Sequence, residues 1–321
     1  MTEPAATADG PVVERPWRVM AEGLRFPEGP IAMPDGSVLV VEIARGTLSR
    51  VTPDGRIAVV AETGGGPNGA ALGPDGRVWL CNNGGFEWAE RDGRLMPGVQ
   101  AADYEGGRIE AVDLATGQVE VVHRACNGEP LKGPNDLVFD AEGGLWFTDH
   151  GKMRPRSEDR TGILYAPPDG AGLREAVFPM HGPNGIGLSP DGTTLYVAET
   201  PTCQLWAIAL DGPGRPAKGP RAAPWRRGLM IYTPRSYRLF DSLGIEACGN
   251  VCVATLVEGG ISVIAPDGAL VEFVPLPDMY VTNICFGGPE RRTAYVTCSS
   301  TGRLLAMDWP RPGLKLNFEA G

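Results

Sequence analysis

One pattern of apolar and polar positions recurs along the chain. It opens with a polar residue after Pro or a bulky apolar residue, runs through four or five apolar-rich positions, turns, and continues into a β-rich run. The copies are Phe26-Pro-Glu-Gly-Pro to Val41-Glu42, Pro67-Asn-Gly-Ala to Cys81-Asn82, and Pro134-Asn-Asp-Leu to Thr148-Asp149. They continue with Pro183-Asn-Gly-Ile to Ala198-Glu199, Phe240-Asp-Ser-Leu to Ala254-Thr255, and Val281-Thr-Asn-Ile to Thr297-Cys298. There are six copies and no seventh. Each reads as a β-hairpin, because Asp35-Gly36, Asp75-Gly76, Glu142-Gly143, Asp191-Gly192 and Gly249-Asn250 are turn dipeptides between runs of Val, Leu, Ile, Trp and Tyr. Further strand pairs lie between the copies, such as 48–51 with 58–61, and 108–113 with 118–123. No segment keeps a 3.6-residue period.

Four strands per unit, repeated radially, predict an all-β fold: a six-bladed β-propeller with four-stranded antiparallel blades. The starts are 40 to 67 residues apart, so six blades use residues 17–321 as one domain, behind a loose tail over 1–16. The longer intervals predict insertions at Asn83–Glu105, Gly151–Arg160 and Gly212–Arg238. Gly (45) and Pro (30) are spread without period, which suits a turn-rich fold and excludes collagen.

The repeat geometry singles out polar residues. In an antiparallel hairpin the start of the first strand and the end of the second share one face of the disc. With first strands lining the axis, the six starts Glu28, Asn68, Asn135, Asn184, Asp241 and Thr282 meet at one height. Two carboxylates among amide oxygens, with no Lys, Arg or His at any start, invite a divalent cation. An all-oxygen set suits hard ions. Calcium is the preferred ion, with magnesium, manganese, zinc or iron as alternatives. Asn135, Asn68, Asp149, His150 and Glu199 are the expected substrate contacts. The insertion at Asn83–Glu105, with Phe86, Trp88 and Tyr104, is a candidate lid.

Charge and composition exclude other classes. Lys+Arg 29 against Asp+Glu 39 gives −10 and leaves no basic stripe for nucleic acid or an anionic membrane surface. No apolar stretch approaches the ~20 residues of a membrane span. Seven cysteines, an odd number without a Cys-x-x-Cys pair, read as free thiols in a cytoplasmic protein. No Gly-x-Ser-x-Gly, Walker or dinucleotide signature is present.

The run Phe26-Pro-Glu-Gly-Pro, Pro134-Asn-Asp, Pro183-Asn-Gly-Ile-Gly-Leu-Ser-Pro-Asp-Gly and Val281-Thr-Asn-Ile-Cys-Phe-Gly-Gly resembles the senescence marker protein / gluconolactonase family of six-bladed propeller lactonases. The likeness spans roughly residues 26 to 307. It implies an axial metal on Glu28, Asn184 and Asp241, with Asn135 touching metal or substrate; Asp241 is then the candidate catalytic base, the alternative being a metal-bound hydroxide that Asp241 only orients. It implies opening of a small-molecule sugar lactone to the acid, with no obligate protein partner. Two departures stand out: Gly133 where the sugar-lactonase branch often has Arg, and Phe240-Asp241-Ser242 in place of Pro-Asp-Gly. The alternatives are an organophosphate hydrolase of the same architecture and a non-enzymatic ligand-binding propeller.

Overall fold

A computed structural model describes residues 10–319. It shows six four-stranded antiparallel sheets arranged as blades of a propeller. Blade 1 comprises Pro27–Ala32, Val38–Glu42, Thr47–Val51 and Ile57–Glu62. Blades 2, 3, 4 and 5 begin with the inner strands Pro67–Leu72, Pro134–Phe139, Pro183–Leu188 and Leu239–Ile245. Blade 6 has only three strands from the C-terminal part, starting with Val281–Gly287. Its fourth, outer strand is Trp17–Glu22, paired antiparallel to Arg303–Asp308. The two ends of the chain thus close the ring in one sheet, which removes the open edge that a sixth three-stranded blade would expose.

Apolar side chains alternate inward on both faces of each blade, so the core is a set of wedges between neighbouring blades. Leu39, Val41 and Leu48 of blade 1, for example, pack on Leu72, Leu80 and Val112 of the next. Of the tail expected over 1–16, residues 1–9 lie outside the described residues. Val13 N donates to Phe273 O, and Phe273 N donates to Pro11 O, so residues 11–13 run along blade 5. Arg15 pairs with Glu272 there and stacks over Trp309.

Two of the three expected insertions add hairpins to the blades, whereas the third, Gly212–Arg238, is an insertion only in part, because Leu229–Tyr232 within it is the outer strand of blade 4. Phe86–Arg91 and Arg94–Gln100 form a hairpin inserted in blade 2, and Met153–Arg154 pairs with Ser157–Glu158 in blade 3. At the turn face, the C-terminal segment covers the axis. Leu314 N donates to Ile245 O, Asn317 Nδ2 to Phe139 O, and the Phe318 ring lies 6.0 Å from that of Phe139. No helix among the described residues is long and apolar enough to cross a membrane.

Candidate functional site

All six inner strands share one irregularity: a β-bulge at their first polar residue. The register shifts between Glu28 and Ile31, Pro67 and Ala70, Pro134 and Leu137, Pro183 and Ile186, Phe240 and Leu243, and Val281 and Asn283. A bulge puts two residues of one strand opposite one of its partner and re-aims both side chains. Two consecutive residues per blade therefore serve the hub, where strict alternation would supply one. The second members are Gly29, Gly69, Asp136, Gly185, Ser242 and Asn283.

The glycines at this second position set how close the blades come. A Cβ on Gly29 would sit 2.5 Å from Asn68 O, one on Gly69 2.6 Å from Asn135 O, and one on Gly185 2.8 Å from Asp241 O. Their absence lets neighbouring inner strands touch backbone to backbone, which brings Glu28, Asn68, Asn135, Asn184 and Asp241 to one end of the channel. The second positions that are not glycine place side chains among them. Asn283 Nδ2 donates to Glu28 Oε2 at 2.7 Å. Ser242 Oγ donates to Asn184 Oδ1 at 3.4 Å and reaches the Asp136 carboxylate. Asn184 Nδ2 donates to Thr200 Oγ1 at 3.0 Å, and its amide also meets Asp241.

Sequence reasoning missed two of these residues. Asp136 is a third hub carboxylate, and Asn283, rather than Thr282, is the blade 6 side chain that faces the others. Thr282 turns instead into a hydroxyl cluster, with Oγ1 at 2.8 Å from Thr297 Oγ1 and close to Ser299 Oγ. The dipeptides Asn135-Asp136 and Thr282-Asn283 were the available signal, since every other second position is Gly or Ser.

The electrostatics of the hub are unbalanced. Burial, then the neighbouring carboxylates of Asp241 and Asp136, push Glu28 well above the ordinary carboxylate range. Burial lifts Asp136 to about 7. Asp241 is also pushed up to about 7, chiefly by burial and further by Asp136. No Lys or Arg among the described residues forms an ion pair with any of the three. Asn135 Oδ1 is buried without a hydrogen-bond partner, an acceptor left unmet beside the acids. The donor set is carboxylate and amide oxygen only. No three His, Cys, Asp or Glu among the described residues, the hub acids included, converge by themselves on a metal position, so a hard cation here would depend on the amide oxygens as well as on Glu28 and Asp241.

The expected substrate contacts divide. Asn68 and Asn135 lie in the hub. Asp149 and Glu199 do not line it, because their oxygens are consumed locally. Asp149 accepts Lys132 N, Gly133 N and Gly151 N at 2.7 to 2.9 Å. Glu199 accepts His181 N, Thr202 Oγ1, Trp206 Nε1 and the Arg226 guanidinium. Glu42 and Asn82 hold the same position in blades 1 and 2 and do the same work, on Arg25 N and Gly66 N. In blades 1 to 4 the side chain that ends the second strand is thus a clamp on the loop leading into the inner strand. His150 sits between blades 3 and 4 against Gly182, its Nδ1 without a partner, and burial with Lys152 nearby lowers its pKa to about 4. It is a neutral imidazole beside the backbone of Pro183, where the blade 4 inner strand begins. A Cβ at Gly133 would lie 2.5 Å from Gly151 O, so the loop that begins the blade 3 insertion fills the space an arginine there would need.

The inserted hairpin crosses one side of the disc at the hub end. Its root is held by Lys152, whose Nζ donates to Gly85 O at 2.6 Å and Asn83 Oδ1 at 3.2 Å and lies 4.1 Å over the Phe86 ring. Its tip reaches blade 6, where Leu95 N donates to Ser300 O and Arg94 faces Asp278. Between root and tip, Trp88 packs on Phe26, 5.0 Å between ring centres.

Comparison with known proteins agrees with this architecture. The chain is 28% identical over 312 residues to a gluconolactonase of Zymomonas mobilis, covering 89% of this chain and 80% of the relative. It is 27% identical to the lactonase drp35 of Staphylococcus haemolyticus, covering 83% and 74%. In three dimensions it matches a calcium-binding protein, regucalcin, from Agrobacterium tumefaciens with a TM-score of 0.76 at 20% identity, over 97% of this chain and 100% of that one. The family model for the SMP-30/gluconolactonase/LRE-like region matches residues 26–300, which take in all six inner strands, and the chain belongs to that family.

Proposed function

We propose that this chain is a divalent-metal-dependent lactonase that opens a small sugar lactone to its acid, with the ion held by Glu28, Asn135, Asn184 and Asp241. The observation that carries this reading is the orphaned Asn135 Oδ1 beside the buried carboxylates of Glu28 and Asp136 and the partly exposed one of Asp241, none of which has an ion-pair partner among the described residues. A cation would satisfy the amide and return the acids to their charged forms in one step. The gluconolactonase and lactonase relatives support lactone hydrolysis, and calcium is the preferred ion, by analogy with the regucalcin neighbour.

When bound, such an ion supplies Lewis-acid polarisation of a carbonyl oxygen and acidifies a coordinated water. The chain's own residues do the rest. Glu28 is fixed by Asn283 Nδ2 and Gly29 N, so it anchors and does not move. Asn184 is oriented from both ends of its amide by Thr200 and Ser242. Asp241 is partly exposed, in contrast to the buried Glu28, Asn135 and Asn184, which gives its carboxylate access to substrate. Asp241 takes the proton of the attacking water at its carboxylate oxygen and returns it to the ring oxygen as the C–O bond breaks. Asn68 and Asn135 contact the lactone from the blade 2 and blade 3 sides, and the seven free thiols suit a reducing, cytoplasmic setting.

The test is ring opening of a panel of aldonolactones, followed by pH change, before and after chelation and after return of calcium, magnesium, manganese or zinc. Chelator-sensitive opening restored by one ion supports the proposal. Hydrolysis of a phosphotriester without any lactone would favour the organophosphate reading, and hydrolysis of neither would favour a binding propeller.

A further inference from the structure

Tyr280 stands two residues ahead of Thr282, at the hub end of the blade 6 inner strand. Its backbone is fixed on both sides: its N–H donates to Asp278 Oδ1 at 2.8 Å, and its carbonyl accepts Ser299 N at 2.8 Å. Asp278 is itself buried and held by Ser300 Oγ, Thr301 N and Thr301 Oγ1. The ring is set edge-on against Phe26, with 5.7 Å between centres, and Phe26 is buried and backed by Trp88. With Phe86 set edge-on to Trp88, that is a row of four rings ending on Tyr280, which alone carries a hydroxyl. The side chain is half-buried, and its hydroxyl has no hydrogen-bond partner among the described residues. Burial and the nearby Asp241 carboxylate both raise the phenol above its usual value, so it remains a neutral donor across the working range.

A rigid aromatic face with a free donor, close to the one partly exposed carboxylate of the hub, has the form of a recognition element. We propose that Tyr280 selects hydroxylated lactones: its ring supports the C–H face of the substrate, and its hydroxyl donates a hydrogen bond to a ring hydroxyl of the lactone held beside Asp241. The assignment rests on the lactonase reading for the identity of the ligand. It makes Tyr280 a specificity-determining residue and gives it no part in bond breaking. A site built to hydrogen-bond a substrate hydroxyl discriminates against the analogue that lacks it, because its polar group is then left unpaired.

The experiment is calorimetric titration of the calcium-loaded wild type, Tyr280→Phe and Tyr280→Ala with two lactams that resist hydrolysis, δ-gluconolactam and the unsubstituted δ-valerolactam. Tyr280→Phe is expected to weaken gluconolactam binding about tenfold and valerolactam binding less than about twofold, which is the signature of one lost hydrogen bond. Tyr280→Ala is expected to weaken both. Equal effects of Tyr280→Phe on the two lactams, or none on gluconolactam, would overturn the assignment, as would a wild type that binds neither. A wild type that binds gluconolactam but opens no lactone would contradict the lactonase reading alone, with Tyr280 still decided by the affinities. If the Ala variant does not fold, the Phe comparison carries the result by itself.

Discussion

Asn283 Nδ2 donates to Glu28 Oε2 at 2.7 Å, and this bond joins the last inner strand of the propeller to the first. The two residues are 255 positions apart and meet only because the ring closes. Glu28 has one other short contact at the same oxygen, from Gly29 N. Replacing Asn283 by Leu removes the side-chain donor and leaves the carboxylate free to turn. Calcium affinity, read by titration calorimetry, is expected to fall about five- to tenfold, in line with one charge-assisted hydrogen bond. Unchanged affinity would show that Asn283 does not hold Glu28 for an ion.

The raised acids give a pH dependence with a definite sign. In the metal-free protein Glu28, Asp136 and Asp241 bind protons more tightly than in the unfolded chain. Their contribution to stability is fully present below the ordinary carboxylate range near 4, and the part owed to Asp136 and Asp241 is lost as pH rises through about 7. Chelated protein is therefore expected to melt at a higher temperature at pH 5.5 than at pH 8, and saturating calcium to restore the difference at pH 8. Asp136→Asn, which supplies the neutral form permanently, is expected to flatten the slope of the chelated protein.

Asp241→Asn separates two roles. As general base its loss should lower kcat by ~10²-fold or more, and as ligand its loss should weaken the ion. Turnover measured at calcium concentrations that saturate the variant isolates the first effect. Near-normal turnover with the ion bound would remove Asp241 as the base.

Gly69 sits where two inner strands touch, and a Cβ there would lie 2.6 Å from both Asn135 O and Asp136 Cα. Neither neighbour is the end of a flexible side chain, so the strands must separate. Gly69→Ala is expected to cost about 1–3 kcal/mol of stability and to weaken ion binding in the same variant, because the separation falls within the hub.

Lys152 is buried, and burial brings its amine down to about 7. Lys152→Met keeps the length of the side chain but removes the charged donor shared by Gly85 O and Asn83 Oδ1, which keep only Ala101 N and Gly85 N, at a cost of about 1–3 kcal/mol. The loss falls on the root of the inserted hairpin. Limited trypsin digestion is expected to cut the variant at Arg91 or Arg94 well before the wild type, with the blades intact.

Much of this was legible in the chain because the repeat is local. Each hairpin carries its own start, turn and return, so the starts could be aligned without long-range information, and Glu28, Asn135, Asn184 and Asp241 do lie at one end of the channel. The bulge was not legible. Alternation by two sends residue 136 or 283 away from the axis, whereas the bulge turns it inward, and so Asp136 and Asn283 were overlooked. Asp149 and Glu199 were misplaced for a different reason: acids at a shared face look like site residues until the backbone N–H groups they accept are seen. The recurrence of an acid or amide at that offset in four blades, Glu42, Asn82, Asp149 and Glu199, was itself a sign of a structural device. Closure of blade 6 by Trp17–Glu22 was hidden because an outer strand from the other end of the chain has no repeat signature of its own.

The central claim is that side chains from four blades hold one divalent ion on the axis. Calorimetric titration of calcium into the chelated protein tests it directly, with wild type beside Glu28→Gln and Asn135→Ala. The account predicts one ion per chain in the wild type, binding lost in Glu28→Gln and weakened in Asn135→Ala. Absence of binding in the wild type, or equal binding in all three proteins, would contradict it.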